Sequence, residues 1–256
     1  MRIFLLLLLL PSILIAQDKK APRSLYRITV YHYTSVSQGE ALDLFLGTAY
    51  LPALHRHGVK QVGVFKDLAN DTSAVKNLYV LAPFKSLDDM LSVDKALEDD
   101  KDLLHTGKDY INADPATPPY ARQENILLRA FRFAPQLTST GVKGPRDQRV
   151  YEMRSYESAT EKKYLNKVHM FNEGGEIPLF KRLGFNAVFY ADVISGAHMP
   201  NLMYMTTFEN MADREAHWKT FVDDAEWKSL SSRPEYQKNV SHADIIFLRP
   251  TPYSDY

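Results

Sequence analysis

The sequence predicts an α+β fold: two tandem ferredoxin-like βαββαβ domains that close on each other as a pseudo-dimeric α/β barrel. Three pairs of matching segments carry this expectation. Tyr26–Tyr33 (YRITVYHY) parallels Tyr151–Ser158 (YEMRSYES), and Tyr50–Phe65 (YLPALHRHGVKQVGVF) parallels Glu176–Tyr190 (EIPLFKRLGFNAVFY). Lys76–Met90 (KNLYVLAPFKSLDDM) parallels Pro200–Arg214 (PNLMYMTTFENMADR). Each copy is about 105 residues, too long for a solenoid unit and the size of a small domain. The repeat defines an N-terminal, divergent domain over residues 25–134 and a C-terminal domain over residues 149–256. Between them, residues 135–148 are rich in Pro, Gly, Thr and Ser and read as a linker.

In the first copy, Tyr26–Tyr33 alternates β-branched and aromatic residues, a strand pattern. Ala41, Leu42, Phe45, Leu46 and Ala49 recur at helical spacing, with Pro52 near the end of that helix. Val59–Lys66 and Asn77–Ala82 read as strands joined by a polar turn through Asn70-Asp71-Thr72. Leu87, Met90, Leu91 and Leu97 mark a second helix; Asp99–Arg122, with three prolines, reads as irregular, and Glu124–Phe133 as the last strand.

The second copy repeats the order. Val150–Tyr156 is a strand, and Glu161–Arg182 is helical with a break at Gly174-Gly175. Gly184–Val193 and Leu202–Phe208 are strands. Met211–Val222 is a helix with an expected inner face of Met211, Trp218, Phe221 and Val222. Asp224–Leu230 starts a short extra turn, and His242–Arg249 closes the sheet. A βαββαβ unit covers one sheet face with helices and leaves the other apolar face in need of a cover. Two units in one chain can supply that cover to each other, and further association into a homo-oligomer stays open.

With 256 residues, 45% of them hydrophobic, the chain can bury one or two cores. Its formal net charge is zero, so no global field favours nucleic acid or an anionic membrane. Arg2, the apolar run Ile3–Ile15 and Ala16-Gln17 have the layout of a signal peptide over residues 1–16. The run falls short of the roughly 20 residues needed to span a bilayer. A secreted or periplasmic protein, without stable membrane insertion after cleavage, is therefore expected. The chain has no cysteine, which excludes disulfides, thiolate metal sites and a cysteine nucleophile.

Glu152, Arg154 and Tyr156 lie at i, i+2 and i+4 of one strand and share a face. That row could orient a polar ligand, with Glu152 as a base if burial raises its pKa. The plainer reading is a buried ion pair that holds the two half-barrels in register. Both readings place the row in the interior between the sheets. Tyr190, Tyr204 and His198 are the further candidates for a ligand site. Trp218 and Trp227 read as core.

No HExxH, EF-hand loop, phosphate-binding glycine loop or Gly-x-Ser-x-Gly elbow occurs, so neither metal nor cofactor is expected. His55 and His57 diverge on their helix, and His242 with Asp244 is a single pair on one strand face. His169 and His217 flank apolar helix faces.

The second copy is specific enough to resemble a known family. YEMRSY (Tyr151–Tyr156), LGFNAVFYADV (Leu183–Val193), MPNLMYMTTFENMADREAHWKTF (Met199–Phe221), DDAEW (Asp223–Trp227) and LRPTPYS (Leu248–Ser254) together are similar to a NIPSNAP domain. That resemblance implies a dimeric α/β-barrel relative, in agreement with the fold argued above. The first copy departs from it. Arg27 and Thr29 stand where the second copy has Glu152 and Arg154, and no tryptophan precedes Trp218. Ala225 replaces the proline that the family places in the Asp-Glu-Trp turn.

Bacterial members of that family have no established reaction, and the missing nucleophile, metal set and cofactor loop lead us to expect binding of a small molecule or partner through the barrel or helix faces. The family's animal relatives are regarded as interaction or trafficking proteins. Barrel cousins supply two alternatives: a cofactor-independent monooxygenase or isomerase with a barrel cavity, and haem binding through His198 or His169.

Overall fold

Alternation along the first strand sets the architecture. In the computed structural model, which describes residues 22–256, β1 (Leu25–Tyr33) sends Tyr26, Ile28 and Val30 to one side and Arg27, Thr29 and Tyr31 to the other. The signal peptide expected over residues 1–16 lies outside the described residues. β1 leads into α1 (Val36–Phe45), a π-helical turn (Leu46–Tyr50) and α2 (Leu51–Arg56). The wide turn comes directly before Pro52, whose ring clashes with a tighter α-helical ladder. β2 (Gly63–Asp67), β3 (Lys76–Phe84) and α3 (Leu87–Glu98) follow. The stretch expected to be irregular holds two short helices, α4 (Lys101–Thr106) and α5 (Lys108–Ile111), before β4 (Arg122–Ala130). Asp100 makes α4 possible by accepting the Leu103 N–H as an N-cap.

The second half repeats the order with β5 (Val150–Glu157), α6 (Glu161–Asn172), α7 (Glu176–Arg182), β6 (Asn186–Ser195), β7 (Asn201–Phe208), α8 (Met211–Asp223), α9 (Ala225–Ser231) and β8 (His242–Pro250). The break between α6 and α7 sits at Gly174-Gly175, as the sequence predicts. A Cβ at Gly174 would lie 2.6 Å from the Met170 carbonyl oxygen, and Gly175 has φ +102, a conformation that favours glycine.

Within each half the strand order is that of a ferredoxin-like sheet, β4-β1-β3-β2 and β6-β7-β5-β8. The two sheets also join edge to edge. β2 pairs with β8 over Phe65–Asp67 and Leu248–Pro250, and β4 pairs with β6 over Leu127–Ala130 and Ala191–Ser195. All eight strands thus form one closed antiparallel barrel, which leaves no unpaired edge. Closure within one chain covers both inner sheet faces without a second copy.

Three large apolar clusters follow from this topology among the described residues, beside a small fourth one of Met170, Leu230 and Tyr236. One fills the lumen, with Tyr26, Ile28 and Phe65 from the first half against Tyr151, Met153 and Phe189 from the second. The other two lie under the helices of each half. Tyr256 is buried against Phe65 and Tyr151, so the final segment plugs one end of the lumen. The linker is held in place too. Thr138 N donates to the Val188 carbonyl, and the Lys143 and Gly144 N–H groups donate to the Glu209 carboxylate.

Two expectations are corrected here. The row Glu152, Arg154 and Tyr156 is interior, but it faces the helices rather than the lumen. Its strand neighbours Tyr151 and Met153 take the lumen positions. An apolar lumen offers no partners for two charges, whereas the helix layer supplies a guanidinium and an indole N–H. On α8, Met211 and Val222 are more than a third exposed, and the inner face is built from Arg214, Trp218 and Phe221.

Candidate functional site

Backbone register brings most of the predicted residues together. Arg154 on β5 lies opposite Tyr204 on β7, and Tyr204 lies opposite Tyr190 on β6. Directly opposed residues share a face, so the three form one row across the outer surface of the sheet. Arg154 Nη1 donates to Tyr156 Oη at 2.8 Å, and the Tyr156 and Tyr204 hydroxyls share a 2.8 Å hydrogen bond. The Tyr190 ring stacks on Tyr204 at 5.8 Å and supports it from behind. Burial, and then the neighbouring Tyr156, pushes the Tyr204 phenol well above its ordinary pKa.

Glu152 is the anchor beneath this row. It is fully buried and accepts from Arg154 Nε at 2.5 Å, Arg214 Nε at 2.8 Å, Arg214 Nη2 at 3.2 Å and Trp218 Nε1 at 2.8 Å. With its oxygens engaged in this way, the carboxylate orients two guanidinium groups and has no free lone pair aimed at a ligand. The expectation that it is a base gives way to a positioning role. Arg154 also lies flat on the Trp218 ring, 3.7 Å from its centroid, which fixes the plane of the guanidinium.

The helices complete a cavity of about 340 Å³ over this floor. Lys167 comes from α6, Glu176 and Phe180 from α7, Arg214, Trp218 and Phe221 from α8, and Trp227 from α9. Asp224 caps α9 by accepting from the Glu226 and Trp227 N–H groups, which turns Trp227 inward. Ala225 takes the first helical position, where proline is also favoured, so the turn forms without it.

Lys167 Nζ donates to both Glu176 oxygens, at 2.7 and 3.1 Å, and sits 4.5 Å above the Phe171 ring. Burial raises the Glu176 pKa above its ordinary value, although the Lys167 and Arg154 charges oppose that shift. Three cations, Arg154, Lys167 and Arg214, therefore meet two carboxylates, Glu152 and Glu176, around one hollow. Arg214 also pairs with the exposed Glu215 at 2.8 Å, so the formal charges of the network balance with every acid ionised and become positive when Glu176 is protonated. A larger hollow of about 980 Å³ lies in the first half between α1 and residues 106–119. Its lining mixes small and polar residues with Phe45 and Tyr110, and its charged groups, Lys108, Asp109 and Asp114, are exposed loop and helix-end residues, so the smaller cavity is where buried charges converge.

His198 is not part of this site. It lies on the loop between β6 and β7 at φ +64, largely exposed, with Nδ1 2.9 Å from Glu157 Oε1. His169 Nδ1 is engaged with Tyr236 Oη at 2.8 Å. Neither imidazole lines the cavity, so the donor set for an axial haem ligand does not fit there.

Sequence reasoning misses Lys167, Glu176 and Arg214. Arg214 precedes Trp218 by one helical turn, and Lys167 sits between the inward-facing Tyr164 and Phe171, so both positions carried an inner-face signal. Glu176 gave none, because an acid in the first turn of a helix ordinarily reads as a solvated dipole partner.

In the first half the same clamp is built with inverted charge. Arg27, at the place of Glu152, makes a bidentate pair with Asp94 of α3 at 2.7 and 2.9 Å, and Asp94 stands where the second half has Trp218. Phe45, Tyr110, Tyr120 and Tyr31 stack over the rest of that face, with Phe45 and Tyr110 rings 3.7 Å apart.

Residues 151–255 match the family model described as NIPSNAP. No curated protein matches the chain. Among solved structures, a candidate monooxygenase from Lactobacillus acidophilus has a TM-score of 0.59 at 13% identity, over 89% of this chain and 94% of its own. A second, from Fusobacterium nucleatum, has a TM-score of 0.57 at 8% identity, over 89% and 92%. A NIPSNAP family protein from Agrobacterium tumefaciens covers 42% of this chain and 98% of its own at 18% identity, with a TM-score of 0.38. The first two show the fold across both halves.

Proposed function

We propose that this chain, which carries a NIPSNAP-family domain in residues 151–255, is a binding protein for a compact anionic molecule with a flat apolar body. The carrying observation is the convergence of Arg154, Arg214 and Lys167 with aromatic walls in one small cavity. Arg154 is held flat by Glu152 and Trp218, a geometry suited to a planar carboxylate or enolate. Trp218, Trp227, Phe180 and Phe221 supply the walls. The volume is at the low end for small-molecule sites, which limits the ligand to one or two rings. The signal-like first sixteen residues favour action outside the cytoplasm, in the periplasm or the medium.

Mass spectrometry of small molecules released from natively purified protein tests this directly, alongside titration with benzoate and 1-naphthoate. The expected result is a saturable complex weakened at least tenfold in Arg154→Gln. Absence of any bound acid, or affinity unchanged in that variant, overturns the reading.

A second reading is acid–base catalysis without a bound cofactor, as in an isomerase or a monooxygenase. It is favoured by Glu176, a buried carboxyl of raised pKa on the cavity wall, and by the fold shared with the two candidate monooxygenases. In the oxygenase case the substrate itself must supply both electrons that reduce the second oxygen atom to water. Substrate-dependent oxygen uptake or solvent deuterium exchange, lost in Glu176→Gln, would support it; neither signal with any acid that binds would end it.

A further inference from the structure

The lumen mouth opposite the Tyr256 plug carries a separate set of polar groups. Lumen-facing alternation runs Tyr151, Met153, Ser155, Glu157 along β5 and Leu248, Ile246, Asp244, His242 along β8. Glu157 lies directly opposite His242, and Asp244 is two residues along on the same face. His242 Nε2 is 3.0 Å from Asp244 Oδ1, and one donor atom from each of Glu157, His242 and Asp244 lies within 4.8 Å of the other two. His198 reaches in from the β6–β7 loop, with Nδ1 2.9 Å from Glu157 Oε1. That contact lacks hydrogen-bond geometry, and the Glu157 oxygen is buried with no hydrogen-bond partner among the described residues.

We propose that Glu157, His242 and Asp244 form a binding site for a divalent transition-metal ion of the zinc type, with solvent completing the coordination. Two carboxylates and one imidazole are a mixed oxygen and nitrogen set that suits such ions, whereas calcium and magnesium take oxygen ligands. The 3.0 Å separation of the His242 and Asp244 donors is close to the roughly 3.3 Å edge expected for ligands about 2.0–2.1 Å from a tetrahedral ion. The ion neutralises two carboxylates that otherwise face each other across paired strands. It also gives the buried Glu157 oxygen the well-directed partner that the His198 contact does not supply. Asp67, Glu124 and Asp244 gather around Tyr79 at the same mouth, and their negative field attracts a cation. The site shares no residue with the cavity under the helices.

Zinc chloride titrated calorimetrically into chelator-treated full-length protein, with anomalous diffraction at the zinc edge, tests the assignment. One equivalent should bind, with a peak about 2.0–2.2 Å from the Glu157, His242 and Asp244 donor atoms. His242→Gln and Asp244→Asn should each lower affinity by more than the roughly 10–100-fold that loss of an outer-shell partner costs. These side chains are largely solvent-facing, so unchanged circular dichroism of the metal-free variants confirms folding, and either variant suffices. His55→Gln, which breaks the exposed His55–Asp255 pair in the other half, should bind as the parent does. Anomalous density elsewhere or nowhere, parental affinity in both site variants, or loss of binding in His55→Gln overturns the proposal.

Discussion

Trp218 Nε1 donates a 2.8 Å hydrogen bond to Glu152 Oε2, which ties the helix roofing the cavity to the strand at its floor. Through this contact one carboxylate sets the position of both arginines and of one indole. The group that fastens α8 to the sheet thus also fixes the Arg154 guanidinium at the cavity floor, and the binding proposed above would couple recognition to stability.

Glu152→Ala should destabilise the protein by about 3–5 kcal/mol, because it leaves the largely buried Arg154 without its counter-charge and Arg214 with only the exposed Glu215. Glu152→Gln keeps the shape and one acceptor, and should cost less. Urea denaturation read by circular dichroism measures both. A loss under about 1 kcal/mol for the alanine variant would mean that the four hydrogen bonds drawn to this carboxylate do not organise the site.

The only two tryptophans of the chain, Trp218 and Trp227, both line the cavity. Intrinsic fluorescence is thus a local probe of occupancy. A ligand that enters should quench or shift the emission, and Trp218→Phe and Trp227→Phe should each retain part of the signal. Trp218→Phe also removes the donor to Glu152 and weakens the support under Arg154, so its ligand affinity should fall further than that of Trp227→Phe. Binding detected by calorimetry with no change in emission would place the ligand elsewhere.

The Lys167–Glu176 pair should make stability depend on pH in a direction opposite to that of an exposed salt bridge. Burial raises the Glu176 pKa in the folded protein above its ordinary value of 4.5, so the folded state holds this proton longer than the unfolded chain does. Where the unfolded state binds fewer protons, stability falls as pH rises. The contribution is therefore most favourable below the unfolded value and declines as pH climbs from there through the raised folded value. Denaturation series across that window should show the decline, and a Lys167→Met/Glu176→Gln double variant should flatten it. Glu176→Gln alone leaves Lys167 buried without an anion and should be less stable than the double variant.

The barrel was legible in the sequence because each copy has its own strand and helix periodicities, and because the repeat doubled every signal. The row Glu152, Arg154 and Tyr156 was legible as a shared face, since a period of two fixes sidedness within a strand. Which side that face takes was not. The choice between lumen and helix layer depends on partners 60 residues away, Arg214 and Trp218, that only the register of α8 over β5 brings near. Lys167 and Glu176 were hidden for a related reason. Each reads alone as a solvated charge, and only their 2.7 Å contact makes burial tolerable. The pair His242 and Asp244 was visible, whereas Glu157 joined it through the pairing of β5 with β8.

The inverted clamp of the first half provides a control for the asymmetry. Arg27 and Asp94 fasten α3 to β1 as Glu152 and Arg214 fasten α8 to β5, but aromatic rings stack where the second half has its cavity. Asp94→Asn should therefore lower stability by about 1–3 kcal/mol, the cost of leaving a mostly buried guanidinium with a neutral partner. It should leave ligand affinity and the tryptophan response unchanged. The exchange Arg27→Asp with Asp94→Arg should recover part of the loss, because the pair is partly exposed and the aromatic layer does not depend on its polarity. A drop in ligand affinity in Asp94→Asn, at a temperature where it is fully folded, would show that the first half takes part in binding and that the site extends beyond the second half's cavity.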